Sequence, residues 1–398
     1  MATRVHPSFA SIGLSKIVQI SEKARLLAPG FESRTGQPFI YFQRGEVGYP
    51  LPPFVLNGLQ EAIEKGLTKY PKSGGESFYK QAVVDDLTQR GVKGLTQDHI
   101  LATMGGQEGL QLIYSYLRTR ACAGFTPCWS CMFDNIFPFT ETSFVPVPLR
   151  ADDAWSIDWR ALERTLSAVD SFYFNSPHNP TGRVFSRDDV TRLAELCAHY
   201  GVLLVVDEAY RDLAYTGTHF SPLQDERFHN VISVNTFSKA LAATGFRIGF
   251  AASRRADLIE MLTRGEYTQT AGVPTPIQYA FSKALASPER TRWADTYRAE
   301  MLARGKALAD HLHPDLRAHP PEGAFYAFIN LAGSEPAAQR AIIEESATHR
   351  LLENGVAVVP GSAFGSDFTG YARLSFSTLP ANIVAQGAAR FSTLVLQR

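Results

Sequence analysis

A lysine that follows a strand-like segment and a hydroxyl-rich turn is the part of the sequence best suited to covalent chemistry. The β-branched run 231–234 leads into a polar segment in which Thr236 and Ser238 precede Lys239, and Arg247 follows further on. A lysine amine can form a Schiff base with a carbonyl compound, and hydroxyl and guanidinium groups can bind a phosphate. A loop lysine by itself is more often solvated, so this interpretation depends on partners elsewhere in the chain.

A glycine turn is a second candidate for phosphate binding. Residues 99–104 are predicted to form a strand, and Gly105, Gly106 and Gln107 follow it directly. A helical pattern of apolar residues continues from Leu110, so the glycines would present backbone N–H groups to an anion at the start of a helix. The pattern is neither a Walker loop nor a dinucleotide fingerprint. Taken alone, such a pattern is more often a structural turn.

Polar residues also follow two other strand-like segments. Segment 172–175 runs into a rigid loop that contains Asn179, and the apolar segment 202–206 ends at Asp207. The alternation of strands and helices predicts an α/β domain with a mostly parallel sheet, whose sites lie beyond the carboxyl ends of the strands. The residues that would share this crevice are Gly105, Asn179, Asp207 and Lys239.

The pattern of elements changes after about residue 290, where a smaller α+β domain is predicted. Its expected elements are helices at 293–313 and 336–353 and strands at 324–330, 356–359 and 372–377, followed by a last helix. We therefore expect three parts: an N-terminal segment 1–50 that joins the small domain and the mouth of the site, a large domain 51–290 and a small domain 291–398.

The composition describes an ordinary globular protein. Of the 398 residues, 45% are hydrophobic, and 39 lysines and arginines balance 39 aspartates and glutamates. This balance argues against a broad nucleic-acid-binding surface, and no apolar run approaches the length of a membrane span. The N-terminal sequence shows no secretory pattern. We expect a cytoplasmic protein with neither nucleic-acid nor membrane partners.

The cysteines suggest neither disulfides nor a metal site. Cys128 and Cys131 form a C-x-x-C motif, while Cys122 and Cys197 stand apart. The motif could be a redox pair or half of a zinc site, but a zinc site needs a second pair of ligands and none lies near it in the sequence. We expect buried, unreactive thiols and no metal.

Together these features indicate pyridoxal phosphate, which needs a lysine, a carboxylate for its pyridine nitrogen and a cradle for its phosphate. The chain resembles the class I/II aminotransferases, the aspartate-aminotransferase-like pyridoxal-phosphate enzymes of fold type I. The matching motifs lie in the family's order at 175–184 (NSPHNPTGRV), 205–213, 235–250, 323–330, 355–365 and 372–376. The resemblance implies a large domain, whose mostly parallel sheet is sandwiched by helices, and a smaller α+β domain.

The resemblance also implies a role for each candidate residue around the cofactor. Lys239 would form the Schiff base and carry the proton between substrate and cofactor, and Asp207 would pair with the pyridine nitrogen. Asn179 and Tyr210 would hydrogen-bond the phenolic oxygen. The residues implied at the phosphate and the ring are Gly105, Gly106, Gln107, Trp129, Thr236, Ser238 and Arg247.

Further implied roles concern the substrate and the partner subunit. Arg373 matches the arginine that binds the α-carboxylate in a bidentate manner, and Gly45 aligns with a glycine at the substrate mouth. Glu46 and Asn179 are additional candidates for substrate contacts. Tyr70 matches the residue that reaches the phosphate of the neighbouring subunit, so a homodimer with shared active sites is expected.

Several departures from the family pattern bear on the substrate. Aspartate-specific relatives carry a lysine where this chain has Gln107, and segment 264–278 offers no clear equivalent of their second substrate-binding arginine. A dicarboxylic substrate is therefore not expected. Glu46 and Glu108 would add negative charge near the mouth, which suits a cationic or hydrogen-bond-donating side chain unless both are solvated or paired. Segment 120–125 lacks the family's acidic turn, so the mouth of the site would differ in shape from that of other family members on this side.

The resemblance implies an aminotransferase that acts on an L-amino acid and a 2-oxo acid. The same residues would also support elimination, cyclisation or oxidation, because the fold does not choose among these reactions. A pyridoxal-phosphate-dependent lyase, cyclase or oxidase acting on a modified or cationic amino acid is therefore the alternative. A regulator without turnover would need a DNA-binding module, which we do not expect from the N-terminal sequence.

Overall fold

The computed structural model of the protein describes residues 12–117, 120–316 and 320–397. In chain order its strands are β1 Ile40–Tyr41, β2 Ile100–Thr103, β3 Ala121–Thr126, β4 Ser143–Pro148, β5 Ser171–Asn175, β6 Leu203–Asp207, β7 Val231–Thr236, β8 Gly249–Ser253, β9 Tyr326–Asn330, β10 Val356–Ala357, β11 Val359–Pro360 and β12 Tyr371–Ser375.

The α-helices alternate with these strands and cover them. In chain order they are α1 Lys16–Thr35, α2 Pro53–Glu64, α3 Ser77–Gln89, α4 Gly105–Tyr116, α5 Phe137–Thr140, α6 Trp159–Leu166, α7 Arg187–His199, α8 Phe237–Ala240, α9 Ala256–Thr270, α10 Thr275–Leu285, α11 Arg290–His311, α12 Ala337–Glu353 and α13 Ala381–Leu396. None of the helices in these described ranges combines the length and the apolar character that a membrane span requires.

A seven-stranded sheet in the order β2-β8-β7-β6-β5-β3-β4 forms the centre of the fold. Strands β3 to β7 pair in parallel, whereas β8 runs antiparallel to both of its neighbours. As a result β2, β5, β6 and β7 all point the same way and end at one edge of the sheet. The mostly parallel α/β fold expected from the sequence is confirmed, with β8 as an unpredicted exception.

Burial on both faces explains the apolar sequence of the central strands. Leu204 and Val206 of β6 belong to one buried cluster, and Val205 between them belongs to a cluster on the opposite face. Side chains alternate between the faces of a strand, so a strand covered on both sides needs apolar residues at every position. The polar Asp207 follows where the strand reaches the edge.

A smaller group of strands lies beside the central sheet. Strands β11, β12 and β9 form an antiparallel sheet, and β1 pairs in parallel with β10. Strands β1, β9, β10 and β12 share a separate core with α11 and α13, whereas Val359 of β11 belongs to the core around the central sheet. The single strand expected at 356–359 is wrong: β10 and β11 belong to different sheets, because the chain changes pairing partner at Val358.

The four cysteines are buried free thiols, as expected. Burial raises the pKa of Cys122 to about 11 and that of Cys131 to about 12. The thiolate is the reactive form of cysteine, so these groups are inert near neutral pH. Among the described residues, no group of three or more histidine, cysteine or acidic side chains could hold a metal ion.

Candidate active site

A cavity of about 180 Å³ opens at the edge where the parallel strands end. It collects most of the residues that the sequence pointed to, although they come from distant parts of the chain. Those that line it are Gly106, Gln107, Trp129, Asn179, Asp207, Tyr210, Thr236, Ser238, Lys239 and Arg247. Leu110, Asn175 and Ala209 also line the cavity and were not predicted.

Lys239 lies on the single-turn helix α8, directly after β7. The side chain of Thr236 caps this turn by accepting a hydrogen bond from the backbone N–H of Ser238 at 3.2 Å. The Lys239 Nζ donates to the carbonyl oxygen of Gly45 at 2.6 Å, which places the predicted mouth glycine beside the amine. Burial and the nearby charges of two arginines lower the pKa of Lys239 to about 8. A substantial fraction of this amine is therefore neutral near physiological pH.

Asp207 is a buried carboxylate held by two hydrogen bonds. Its Oδ2 accepts from the hydroxyl of Tyr173 at 2.8 Å, and its Oδ1 accepts from the backbone N–H of Ala209 at 3.0 Å. Burial raises the pKa of Asp207 to about 6, while both hydrogen bonds act in the opposite direction. The group is thus ionised near neutral pH and suits a cationic partner.

Three elements converge on an anion-binding cradle. Helix α4 begins at Gly105 itself, so the predicted glycine turn forms the first turn of the helix and directs N–H groups outward. Gly105 has a φ of 78°, and a Cβ there would come within 2.9 Å of the Arg247 Nη2. The Ser238 hydroxyl lies 2.9 Å from the Thr236 hydroxyl and accepts from the Arg247 Nη1 at 3.4 Å. N–H groups, hydroxyls and a guanidinium together suit a phosphate.

Arg373 on β12 is a buried cation at the border of the cavity. It is 1% exposed, and its Nη1 donates to the Oδ1 of Asn179 at 3.3 Å. Its Nη2 donates to the backbone oxygen of Gln43 at 2.9 Å, and its Nε has no hydrogen-bond partner. In the described part of the chain no carboxylate pairs with it. A buried guanidinium with spare donors suits an incoming carboxylate.

Two residues that the sequence analysis did not single out connect these groups. Asn175 donates from its Nδ2 to the backbone oxygen of Asp207 at 2.9 Å and accepts from the Asn179 backbone N–H at 2.7 Å. Tyr326 places its hydroxyl 2.9 Å from that of Tyr210. Both residues lie in motifs quoted above, so the motifs pointed to the segments but not to these contacts.

The remaining candidates lie outside the cavity lining. Glu46 is exposed, and its charge favours the protonated form of Lys239, which places it near the amine. Tyr70 is 94% exposed on the loop between α2 and α3. Glu108, which was also expected near the mouth, does not line the cavity. Because α4 starts at Gly105, Glu108 falls in its first turn, is 8% exposed and accepts from the backbone N–H of Met104.

Comparisons with known proteins agree with this geometry. Residues 38–391 match the model of the family described as aminotransferase class I and II. The aspartate/prephenate aminotransferase of Thermus thermophilus is 28% identical, over 93% of this chain and 96% of that protein. The aspartate aminotransferase of Rhizobium meliloti is 30% identical, over 94% of this chain and 92% of that protein.

The same likeness holds in three dimensions. The structure of the Thermus thermophilus aspartate aminotransferase with maleate superposes with a TM-score of 0.89 at 26% identity, covering 98% of this chain and 100% of that chain. Sequence and fold thus agree over almost the whole length. The chain belongs to the class I and II aminotransferases, a family of pyridoxal-phosphate-dependent enzymes.

Proposed function

We propose that this protein is a pyridoxal-phosphate-dependent aminotransferase that moves the amino group of an L-amino acid to a 2-oxo acid, with Lys239 as its catalytic lysine. The observation that carries the proposal is the meeting of Lys239, Asp207 and the anion cradle in one cavity. An amine, a carboxylate and a phosphate site are the three groups that this cofactor requires of a protein.

The residues present fit pyridoxal phosphate. Gly105 leaves room beside Arg247 that a side chain would fill, so the cradle can accept the phosphate. Asp207 would bind the protonated ring nitrogen, and Trp129 offers an aromatic face in the cavity lining. When bound, the cofactor supplies an electrophilic aldehyde and a ring that withdraws electron density from the reacting carbon.

The protein's own groups would bind the substrate and move its proton. Arg373 would bind the α-carboxylate through its unused donors and so fix the orientation of the amino acid relative to Lys239. The Lys239 amine has its pKa lowered to about 8, which suits a base that removes the proton from Cα and later returns it. Asp207 would hold the proton on the ring nitrogen, since its carboxylate is ionised and fixed by two hydrogen bonds.

We further propose that the side chain of the preferred substrate is not a carboxylate. The neutral Gln107 lines the cavity, and the exposed Glu46 acts on Lys239 with its negative charge, so neither side chain would attract a second substrate carboxylate. The proposal departs from the names of the relatives, which include aspartate aminotransferases at 28% to 30% identity. A cationic or hydrogen-bond-donating side chain would be favoured by Glu46.

Neighbouring surface features support a homodimer. Tyr70 is 94% exposed, and the preceding helix α2 exposes Leu56 and Ile63 at 56% and 55%. Large apolar side chains exposed along one stretch of chain are typical of a surface that another molecule covers. We propose that a second copy covers this stretch and that Tyr70 enters the partner's site.

One experiment tests the reaction type. The purified enzyme with its cofactor is mixed with single L-amino acids in air without any 2-oxo acid, and product is counted by mass spectrometry. We expect one equivalent of 2-oxo acid per cofactor, with further turnover only when a 2-oxo acid is added. Many turnovers without an acceptor would instead mean elimination, cyclisation or oxidation, and the product mass would say which. The Lys239→Ala variant serves as the inactive control.

The same assay tests the substrate class. Aspartate and glutamate are compared with neutral and cationic amino acids by kcat/KM in the wild-type enzyme, Gln107→Lys and Glu46→Gln. We expect Gln107→Lys to improve the dicarboxylic substrates and Glu46→Gln to weaken cationic ones selectively. A wild-type enzyme that prefers aspartate would contradict this part of the proposal, and an unchanged ranking in Glu46→Gln would remove the role of Glu46.

A further inference from the structure

We propose that Tyr173 is a positioning residue for the reaction: its hydroxyl keeps Asp207 ionised and holds its carboxylate in place for the ring nitrogen of the cofactor. The inference rests on the proposed function, because Asp207 matters to catalysis only if the cofactor binds. It concerns a tyrosine in the middle of an apolar strand, a position that ordinarily belongs to the core.

The geometry makes Tyr173 the side-chain partner of Asp207. Strand β5 lies next to β6, with Asn175 opposite Asp207 in the register. Tyr173 lies two residues earlier, on the same face of the strand as Asn175, and its hydroxyl donates to the Asp207 Oδ2 at 2.8 Å. The hydroxyl is the one side-chain donor that the described residues offer to this carboxylate, and the backbone N–H of Ala209 serves the other oxygen.

The surroundings show why this hydrogen bond has a large effect. Tyr173 is 2% exposed and packs in a buried cluster with Tyr114, Cys128 and Val205. Away from water, a carboxylate loses its hydration and depends on fixed donors to stay charged. A hydrogen bond to an ionised group is also about twice as strong as one between neutral groups.

Tyr173 remains a donor over the whole useful pH range. Burial, together with the negative charge of Asp207, raises the pKa of the Tyr173 hydroxyl well above its usual value. The proton therefore stays on Tyr173, and the carboxylate accepts. Each group keeps the other in the state that the hydrogen bond requires.

Other titratable groups also act on Asp207. Lys239 attracts its negative charge, and the neighbouring Glu208 repels it. Buried groups that lie close enough to interact with it electrostatically are Tyr114, Cys128, Tyr210 and Tyr326. Burial keeps these phenols and the thiol neutral, because it raises the pKa of each. Tyr173 differs from them by bonding the carboxylate directly.

The test is cofactor binding by the cofactor-free protein as a function of pH. Pyridoxal phosphate is titrated into wild-type protein and Tyr173→Phe between pH 5 and 9, and Kd is measured from the absorbance of the bound cofactor. Tyr114→Phe is the matched control, because this tyrosine lies in the same cluster but its hydroxyl contacts the Cys122 Sγ at 3.3 Å rather than Asp207. Titrations of the cofactor itself are common to all variants and cancel in the comparison.

We expect Tyr173→Phe to weaken cofactor binding about tenfold at pH 7, the smaller effect typical of losing a hydrogen bond to a charged group. The pH below which binding weakens should also move upward, because Asp207 then takes up its proton at higher pH. Tyr114→Phe should match the wild type. The pH at the midpoint of the absorbance change of the bound cofactor should rise in Tyr173→Phe. A ring that is less protonated carries less positive charge, so it opposes less strongly the protonation of the nitrogen that would join the cofactor to Lys239.

A double substitution separates positioning from packing. In an Asp207→Asn background, Tyr173→Phe should change Kd by less than about twofold, because the carboxylate it acts through is gone. The inference would be overturned if Tyr173→Phe weakened cofactor binding as much in the Asp207→Asn background as in the wild type. It would also be overturned if the Tyr173→Phe protein matched the wild type in Kd and pH dependence. Neither result would contradict the proposed function. If wild type and Tyr114→Phe take up no cofactor, the proposed function fails and this inference falls with it.

Discussion

Tyr210 lines the cavity, and its hydroxyl lies 2.9 Å from the hydroxyl of the buried Tyr326. The ring of Tyr326 also lies under the Arg373 guanidinium, 4.5 Å from its carbon. One side chain therefore contacts both the tyrosine on the proposed cofactor side and the arginine on the proposed substrate side. A Cβ at Gly45 would come within 3.1 Å of the same Tyr326 hydroxyl, so the mouth of the site packs on it as well.

The first prediction concerns this tyrosine pair. Tyr326→Phe removes the hydroxyl and keeps the ring, so Arg373 retains its aromatic support while Tyr210 loses its partner. We expect kcat/KM for the amino acid to fall about fivefold, as for one neutral hydrogen bond, with KM little changed. Steady-state kinetics measure this. Tyr371→Phe on the same strand as Arg373 should leave both constants unchanged, and a large rise in KM in Tyr326→Phe would contradict the division of roles.

The second prediction concerns Arg373. Arg373→Lys keeps the charge but loses the fork of donors that matches a carboxylate. We expect kcat/KM for amino acids to fall about a hundredfold, the loss of about 2.7 kcal/mol. The sharper measurement compares each amino acid with the amine that lacks its carboxylate. Wild-type enzyme should strongly prefer the amino acid, and Arg373→Lys should lose most of that preference. Preference retained in full would mean that the carboxylate binds elsewhere.

The third prediction follows from the lowered pKa of Lys239, about 8. Only the neutral amine reacts with an aldehyde, and its fraction rises with pH until the pH exceeds the pKa. The rate of pyridoxal phosphate uptake by the cofactor-free protein should therefore rise from pH 6 and level off above about 8. Stopped-flow absorbance measures this rate. The reaction of pyridoxal phosphate with free lysine, followed at the same pH values, is the reference for the pH dependence of the aldehyde itself. A rate that still rises steeply at pH 10 would show that the amine is not perturbed.

The fourth prediction tests whether Tyr70 acts across a dimer. Tyr70→Phe and Lys239→Ala are each expected to lower activity, Lys239→Ala to near zero. If Tyr70 enters the partner's site, a mixed dimer contains one site with both natural residues. Mixing and re-associating the two variants should then restore up to about a quarter of the wild-type activity, since half of the dimers are mixed and each has one intact site. Activity no greater than the average of the two variants would show that Tyr70 acts within its own subunit or not at all.

The fifth prediction concerns stability and a buried acid that does not line the cavity. Glu266 is 0% exposed, and its Oε2 accepts from the backbone N–H of Gly74 at 3.4 Å. Burial, reinforced by the charge of Glu108, raises its pKa to about 7. The folded protein therefore holds a proton that the unfolded chain releases, so the contribution of Glu266 to stability is full at low pH and is lost as pH rises through 7.

The free energy of unfolding of the wild-type protein should fall between pH 5 and pH 8. In Glu266→Gln this fall should be smaller by about 1–3 kcal/mol. Urea denaturation of the cofactor-free protein at both pH values measures it. Glu260→Gln is the matched control, because Glu260 lies on the same helix with its side chain 68% exposed. An equal pH dependence in all three proteins would show that Glu266 is ionised in the folded state.

The sequence predicted the groups that follow the ends of strands. Lys239, Asp207 and the glycine turn each interrupt a local pattern, and the parallel arrangement of the strands brings such interruptions to one edge. Arg373 was recognised through its motif, and the structure places it against Asn179. These features depend on short stretches of chain, which is why the sequence is enough to find them.

The missed contacts depend on which strands become neighbours. Tyr173 and Tyr326 lie inside apolar strands and look like core residues, because nothing local shows that β5 pairs with β6 or that β9 lies near Tyr210. The pairing of Glu108 was likewise not specified by the sequence: the glycine turn is the first turn of α4, and the Glu108 carboxylate accepts from the backbone N–H of Met104. Pairing partners and exact helix starts are tertiary properties.

The antiparallel direction of β8 determines the spacing within the site. Because β8 returns against β7, the chain leaves the edge at Lys239 and comes back to it at Arg247. The hydroxyl of Thr236 donates to the backbone oxygen of Ile248 at 3.2 Å and ties the two ends of this excursion together. The distance between the Lys239 amine and the Arg247 guanidinium is thus set within one short loop. A shift of the smaller sheet would change the position of Arg373 relative to a substrate but leave the distance between Lys239 and Arg247 unchanged.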